Sequence, residues 1–506
     1  MRTLKIYFTS DIHGYFFPPD SSQGAMPLGL FQCAKAFCKD GNTLIIDGGD
    51  VLQGSALNQY CWRILHNFEV LADMMNACGY DYVTLGNHDF NFGKQALSGY
   101  LNRLNAACLC ENVQDESGRC IFPHTIHTLE NGMKVGLVGI VTDFVNLWEK
   151  PEHIEGLQIT DPLDAARNAL ALIKDKTDLT ICIYHGGFEC DLDTGKVLSD
   201  SGENIACRIC TELDFDILLT GHQHMPAQGR YYCGTYIIQP PEQGRGCALL
   251  EVTQAQGNIT VHSSIELPKL TPSVSYADSS LQRELNLSIQ GCVPSTRMQF
   301  ADLESNLQIW LDEPVGTLAE PIEVGDRIQM ALHGAPLADL FNMLQLRNSG
   351  AQISASSLAN DARGLPELVR RRDLFTAYPY TNTFVLLEIT GKHLRAAVER
   401  SAEYLEYDAQ GQLRISDRFL KPKVEHYNHD YFYPLATEID YMRPIGSRVI
   451  SMQFEDHEVV DDATFTICTN DYRASGAGGY PMYPQCRVIQ EIRHEMTDFL
   501  LDYFDL

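Results

Sequence analysis

The chain has 506 residues, 44% of them hydrophobic and 21% charged, with 38 Lys and Arg against 66 Asp and Glu for a formal net charge of −28. At roughly 100–200 residues per domain this length predicts two to four domains with cores of their own, which excludes a small disulfide scaffold and a disordered tail. The negative charge argues against a nucleic-acid polymer or an anionic membrane as partner, and leaves small anions bound locally through a metal or a few arginines.

Met1 to Asp11 has neither a long apolar core nor a small-residue cleavage site, so it reads as a first strand rather than a signal peptide. No run of about 18 apolar residues predicts a membrane span. The 16 cysteines are therefore expected reduced, in a soluble cytoplasmic protein, many as small buried hydrophobes like Cys182. Short apolar runs predict buried strands at Leu4 to Phe8, Thr43 to Ile46, Tyr82 to Leu85, Lys134 to Ile140, Leu179 to Tyr184 and Asp216 to Leu219. Amphipathic segments between them predict helices, for example Trp62 to Ala77, Asp161 to Lys174 and Glu203 to Leu213, which gives an α/β layout. Thr235 to Ile238, Cys247 to Thr253 and Asn258 to Ser263 are spaced like an antiparallel extension that ends the first domain, 1–268.

A polar, helical linker follows over 269–325, with helices at Ala277 to Ile289 and Arg297 to Leu311 separated by Pro294. A second α/β domain covers 326–506, with helices at Pro336 to Leu346 and Gly391 to Tyr404 and strands at Thr383 to Ile389, Arg448 to Phe454 and Thr464 to Thr469. Cys207-Arg208-Ile209-Cys210 reads as two core-facing thiols of an amphipathic helix. Arg370-Arg371-Arg372 reads as a solvated loop or helix end.

Five of the first six strands end in groups able to hold a metal, in the loops where α/β folds place their sites. Strand one ends in Asp11-Ile12-His13, whose i and i+2 side chains point the same way in extended chain. Strand two ends in Asp47-Gly48-Gly49-Asp50, where the glycines allow a sharp turn and Asp50 offers two oxygens that could bridge two cations. Strand three ends in Gly86-Asn87-His88-Asp89, strand five in His185-Gly186-Gly187, and strand six in Gly221-His222-Gln223-His224. Each piece alone has an ordinary reading as a turn or a satisfied polar residue. Their conjunction points to a dinuclear centre, in which two cations about 3.5–4 Å apart activate water. Carboxylate, amide and imidazole donors without thiolate suit Mn, Fe, Zn or Co. His88, beside Asn87, is placed to assist a departing alkoxide.

This ordered set resembles the calcineurin-like metallophosphoesterases. The resemblance implies an N-terminal αββα sandwich of two packed sheets, two divalent metal ions, and a ligand set of Asp11, His13, Asp50 and His224 for one ion and Asp50, Asn87, His185 and His222 for the other. Gln53-Gly54, the large second domain, Gln308 to Gly316, Tyr380 to Phe384, Ile389-Thr390-Gly391 and Thr469 to Tyr480 narrow it to the 5′-nucleotidase-like branch, with an α/β C-terminal substrate-binding domain. That branch sandwiches a nucleobase between two aromatics, which implies Tyr472 with a partner in His426 to Tyr433, of which Tyr427 is favoured. Arg473 and Asn470 complete the expected substrate set.

Asn91 and Gly478 stand where secreted 5′-nucleotidases usually have aspartates, one forming a dyad with the catalytic histidine and one holding ribose. Together with Tyr472 to Gly476, Tyr427 to Asp430 and Glu438-Ile439-Asp440, they resemble the 2′,3′-cyclic-nucleotide 2′-phosphodiesterase/3′-nucleotidase branch. The resemblance implies hydrolysis of small-molecule nucleotides with His88, Asn87 and Asn91 at the catalytic centre. The alternatives are a 5′-nucleotidase or nucleotide-sugar hydrolase, and a nucleotide-binding protein without turnover.

Overall fold

The computed structural model describes residues 1–17, 29–198, 202–267, 296–380, 382–492 and 494–504. The expected helix Ala277 to Ile289 and Pro294 lie outside them. The chain divides into two compact units, Met1–Leu307 and Gln308–Leu506. Among the described residues no helix is long and apolar enough to cross a membrane.

The first unit is a sandwich of two six-stranded sheets. In one, Arg2–Thr9, Thr43–Asp47, Tyr82–Val83 and Ala107–Cys108 run parallel, and the hairpin Cys247–Ala255/Asn258–Glu266 joins antiparallel beside Arg2–Thr9. In the other, Lys134–Val141, Leu179–His185, Ile217–Thr220 and Thr235–Gln239 run parallel, edged by antiparallel Thr125–Thr128 and Ala227–Tyr232. Alternation along each strand decides what it packs against. Leu4, Ile6 and Phe8 meet Leu137, Ile181, Ile183 and Leu219 in one core cluster. The intervening residues Val138, Ile140, Cys182, Tyr184 and Leu218 turn outward onto Pro162–Ile173 and Ala206–Glu212. Burying each large aliphatic is worth about 1.5–3 kcal/mol. Asp161 starts the first of these helices by capping the Asp164 amide, with Pro162 behind it.

Three expectations change. Thr235–Gln239 does not belong to an antiparallel extension: it pairs parallel with Ile217–Thr220 in the second sheet. Trp62 to Ala77 is not one helix, because a π-turn at Cys61–Leu65 closes on left-handed His66 (φ 55°) before Glu69–Cys78 begins. Asn67 enforces the break, donating to the Leu65 carbonyl and accepting from the Glu69 amide. The cysteines are not all reduced, since Cys190 and Cys207 form a disulfide. Glu189 sets it up by accepting from the amides of Cys207 and Arg208. Cys210 is a free, buried thiol, as expected.

The second unit is built on a five-stranded mixed sheet in the order Asp430–Tyr433, Ile353–Ser357, Thr464–Asn470, Phe384–Thr390, Arg487–Ile492. Pro336–Ser349 and Met496–Phe504 cover one face through Leu337, Phe341, Phe499 and Leu500. Gly391–Ala402 covers the other through Leu394, Ala397 and Val398.

Candidate functional site

The parallel strands of both sheets deliver their carboxyl ends to one place, and the backbone there bends sharply. Asp11, His13, Asp50, His222 and His224 all have positive φ, at 57°, 50°, 61°, 72° and 55°. A non-glycine residue held there costs about 1–3 kcal/mol and persists where surrounding structure imposes it. The turns aim side chains of consecutive loops inward, and glycines make room for them. A Cβ on Gly86 would lie 2.1 Å from Asp50 Oδ1, and one on Gly221 2.7 Å from Asp11 Oδ2.

Two acid–imidazole clusters result, Asp11/His13/His224 and Asp50/His185/His222, each with candidate ligand atoms within 4.8 Å of one another. His224 Nε2 lies 3.3 Å from Asp11 Oδ1 and 3.0 Å from His13 Nε2. His185 Nε2 lies 3.1 Å from Asp50 Oδ2 and 4.0 Å from Asp11 Oδ1, and Asp50 Oδ2 is also 3.7 Å from His13 Nε2. Asp50 therefore faces both clusters. Asn87 Oδ1 joins the second, 2.9 Å from His222 Nδ1.

The outer ring nitrogens identify these imidazoles as ligands-in-waiting. His13 Nδ1 is held by the Gln53 carbonyl at 2.8 Å, His185 Nδ1 by the Gly48 carbonyl at 2.6 Å and His222 Nε2 by the Glu203 carboxylate at 2.7 Å. An acceptor on one nitrogen leaves the other as an inward lone pair, the arrangement of metal-binding histidine. His185 Nε2 is buried and aimed into the cluster, with Asp50 Oδ2 as its near neighbour at 3.1 Å. Burial holds His13 down to about 4, overriding Asp50. Burial also opposes charge on His185, but Asp50 and Asp11 outweigh it and push the imidazole up to about 10. Burial disfavours ionised Asp11 and Asp50 too, yet neighbouring imidazoles hold both carboxyls below the usual range. Divalent cations take up the same lone pairs and substitute for those shared protons, so the donor set fits two such ions.

Asp89, the acid of Gly86-Asn87-His88-Asp89, is turned away from both clusters. It accepts from the amides of Gly86, Asp50, Val51 and Leu52. His88 donates its amide to Asp50 Oδ1 and sets its ring Nδ1 2.8 Å from Asn91 Oδ1. Sequence reasoning missed three neighbours. Trp148 stacks on His222 with ring centroids 5.7 Å apart, Glu149 Oε2 accepts from Asn91 Nδ2 at 2.7 Å, and Glu203 holds His222. All three sit in irregular loops or at a one-turn helix end, Val145–Trp148, where no periodicity signals them.

In the second unit Tyr472 and Tyr427 come together, ring centroids 6.4 Å apart at 73°, with Tyr380 edge-on to Tyr427 at 6.3 Å. Both are half-buried. Arg473, expected in the substrate set, does not offer a free donor. It is 1% exposed, and its Nε and Nη2 bind Asp430, its Nη1 binds Asn428 Oδ1 and the Ala477 carbonyl, and its Nη2 also binds the Tyr427 carbonyl. The guanidinium lies 4.2 Å from the Tyr480 ring centroid. It is a buried strut that positions the Tyr427 and Tyr472 segments. Asn470 likewise is spent locally, its Oδ1 capping Asp471–Ala474 by accepting from the Arg473 amide. Gly478 (φ 70°) has no room for a side chain, since a Cβ would fall 2.1 Å from Arg473 Nη1 and 2.2 Å from Asn428 Oδ1.

Comparison with known proteins matches residues 4–226 to the family described as Calcineurin-like phosphoesterase and residues 314–485 to 5′-nucleotidase, C-terminal domain. A solved putative 5′-nucleotidase from Staphylococcus aureus, in complex with alpha-ketoglutarate, is 30% identical with a TM-score of 0.87, over 99% of this chain and 96% of that one. The Trifunctional nucleotide phosphoesterase protein YfkN of Bacillus subtilis is 24% identical over 99% of this chain, which spans only 38% of that protein's length. A 2′,3′-cyclic-nucleotide 2′-phosphodiesterase/3′-nucleotidase of Haemophilus influenzae is 22% identical over 99% of this chain and 84% of its own.

Proposed function

Because the chain belongs to the calcineurin-like phosphoesterases that carry a 5′-nucleotidase C-terminal domain, we propose that it hydrolyses nucleotide phosphoesters, with 2′,3′-cyclic nucleotides and 3′-nucleotides preferred. The observation that carries the reading is the pair of clusters Asp11/His13/His224 and Asp50/His185/His222. Asp11, His13, Asp50 and His224 would hold one divalent ion, and Asp50, Asn87, His185 and His222 the other. Bound there, two divalent ions supply an acidified water and offset charge on phosphoryl oxygens. Gln53, Gly48 and Glu203 keep the imidazoles aimed. His88 lies against Asn91 and serves the leaving oxygen. Tyr472 and Tyr427 offer the base a stacking surface, worth about 1–3 kcal/mol per base.

The preference for cyclic and 3′-phosphates is supported by Asn91 and by Gly478, where no ribose-directed carboxylate fits. A 5′-nucleotidase is the second reading, favoured by the 30% identity to the Staphylococcus aureus protein of that description. Chromatography of products from 2′,3′-cyclic AMP, 3′-AMP, 5′-AMP and UDP-glucose, with Mn²⁺-loaded protein, separates them. Passage of the cyclic substrate through 3′-AMP to adenosine, with 5′-AMP slow, supports the first reading. Faster hydrolysis of 5′-AMP overturns it in favour of the second. Saturable nucleotide binding without phosphate release would make the chain a binding protein.

A further inference from the structure

We propose that Glu149 is a positioning residue that sets the hydrogen-bonding direction of His88 through Asn91, an inference that rests on the hydrolytic reading above. The three groups form one chain: His88 Nδ1 to Asn91 Oδ1 at 2.8 Å, and Asn91 Nδ2 to Glu149 Oε2 at 2.7 Å. The far oxygen of Glu149 is anchored independently, accepting from the Lys150 amide at 2.9 Å and lying 2.7 Å from His153 Nδ1. Its side chain is only 6% exposed, so the carboxylate is held in place rather than solvated.

An ionised carboxylate only accepts, which decides which way the Asn91 amide points. The NH₂ must face Glu149, and the carbonyl oxygen must face His88. Facing that oxygen, His88 Nδ1 must carry a hydrogen. Nε2 is then the ring atom left to meet the leaving group. In the reaction the water oxygen forms a bond to phosphorus as the bond from phosphorus to the ribose oxygen breaks, its electron pair staying on that oxygen. That oxygen takes the hydrogen of His88 Nε2, the ring carrying one on each nitrogen at that moment, and the proton the water gives up restores the balance. A Gln at 149 would keep the shape, but the Lys150 amide would hold its oxygen and turn its NH₂ on Asn91, so Asn91 would flip and face His88 with its own NH₂. The acid that a dyad places directly on histidine is here displaced by one residue, with an amide as the spacer.

The test is Glu149→Gln in the full-length Mn²⁺-loaded protein, assayed on two esters. One is 2′,3′-cyclic AMP, whose ribose oxygen needs a proton to leave. The other is bis(p-nitrophenyl) phosphate, whose leaving group departs as a stable anion. The expected result is a kcat lowered about ten- to a hundredfold on the cyclic nucleotide, with KM and metal content unchanged and the aryl ester scarcely affected. Asn91→Asp added to Glu149→Gln, which puts a carboxylate directly on His88 Nδ1, is expected to restore most of the loss. Equal losses on both esters, or none on either, overturn the inference and leave the hydrolytic reading standing. A wild-type protein inactive on both overturns that reading and this inference with it.

Discussion

Asp50 and Arg473 are both buried ions, and their surroundings differ in a way that separates machinery from scaffold. Asp50 sits on left-handed backbone, and one of its oxygens is shared between imidazoles of two clusters, 3.1 Å from His185 Nε2 and 3.7 Å from His13 Nε2. Arg473 has partners on Nε and on both Nη atoms, and an aromatic face beneath it. Charge and burial are common to both. What distinguishes them is whether polar atoms converge on a space or close on one another, since a group already saturated by protein has little left for a ligand.

Breaking the comparison on the Asp50 side has the largest expected effect. Asp50→Asn removes the oxygen shared by the two clusters, and phosphate release should fall by at least about a thousandfold with loss of bound metal. Phosphate assay and metal analysis on the same preparation would show it, while the unfolding midpoint stays near that of wild type. On the other side, Arg473→Ala strands Asp430 in the interior. It should cost about 3–5 kcal/mol of stability, read by urea unfolding of the full chain. A variant that folded normally and lost only nucleotide affinity would place Arg473 with the machinery after all.

The contrast sharpens with pH. Burial lowers His429 from an ordinary 6.5 to about 4, where it stacks on Tyr404 and hydrogen-bonds Ser401. Its neutral form contributes fully above about pH 6.5. As pH falls from 6.5 to 4 the unfolded chain takes up a proton that the folded chain refuses, so up to about 3 kcal/mol of stability is lost. Urea midpoints at pH 7, 5.5 and 4 should show that slope, and His429→Gln should flatten it. The smallest effect is Glu203→Ala, which frees the outer nitrogen of His222. Metal affinity should weaken about 10–100-fold, measured by competition with a chromophoric chelator, with the fold unaltered.

The strands of the first unit, and the acids and imidazoles at their ends, were legible because strand periodicity and chemistry coincide there, whereas their packing as a two-sheet sandwich came with the resemblance. Ile6 and Phe8 alternate into the core, and the next residues along the chain are the ones that converge. The resemblance then supplied how Asp11, His13, Asp50, Asn87, His185, His222 and His224 divide between the ions. Glu149, Trp148 and Glu203 were not legible, because only tertiary approach brings them to Asn91 and His222. Arg473 misled for a related reason. A cation beside Tyr472 reads as a ligand-binding group, and nothing in the local sequence shows that Asp430, 43 residues upstream, has claimed it. The same limit explains Cys207, whose neighbour by motif is Cys210 and whose partner in space is Cys190. At His66 the helical spacing was broken by an asparagine that satisfies both helix ends, a local event that periodicity averages away.

Asp89 belongs to neither cluster, yet it stitches the amides of Gly86, Asp50, Val51 and Leu52 to one carboxylate. The ligand loops are thereby tied during folding, and their conformational entropy is surrendered then rather than when ions arrive. Chelation would strip the centre without melting the domain around it. Reloading would then run at the pace of ion dehydration and diffusion, unlike small metal-folded modules, where each capture event must also refold the chain.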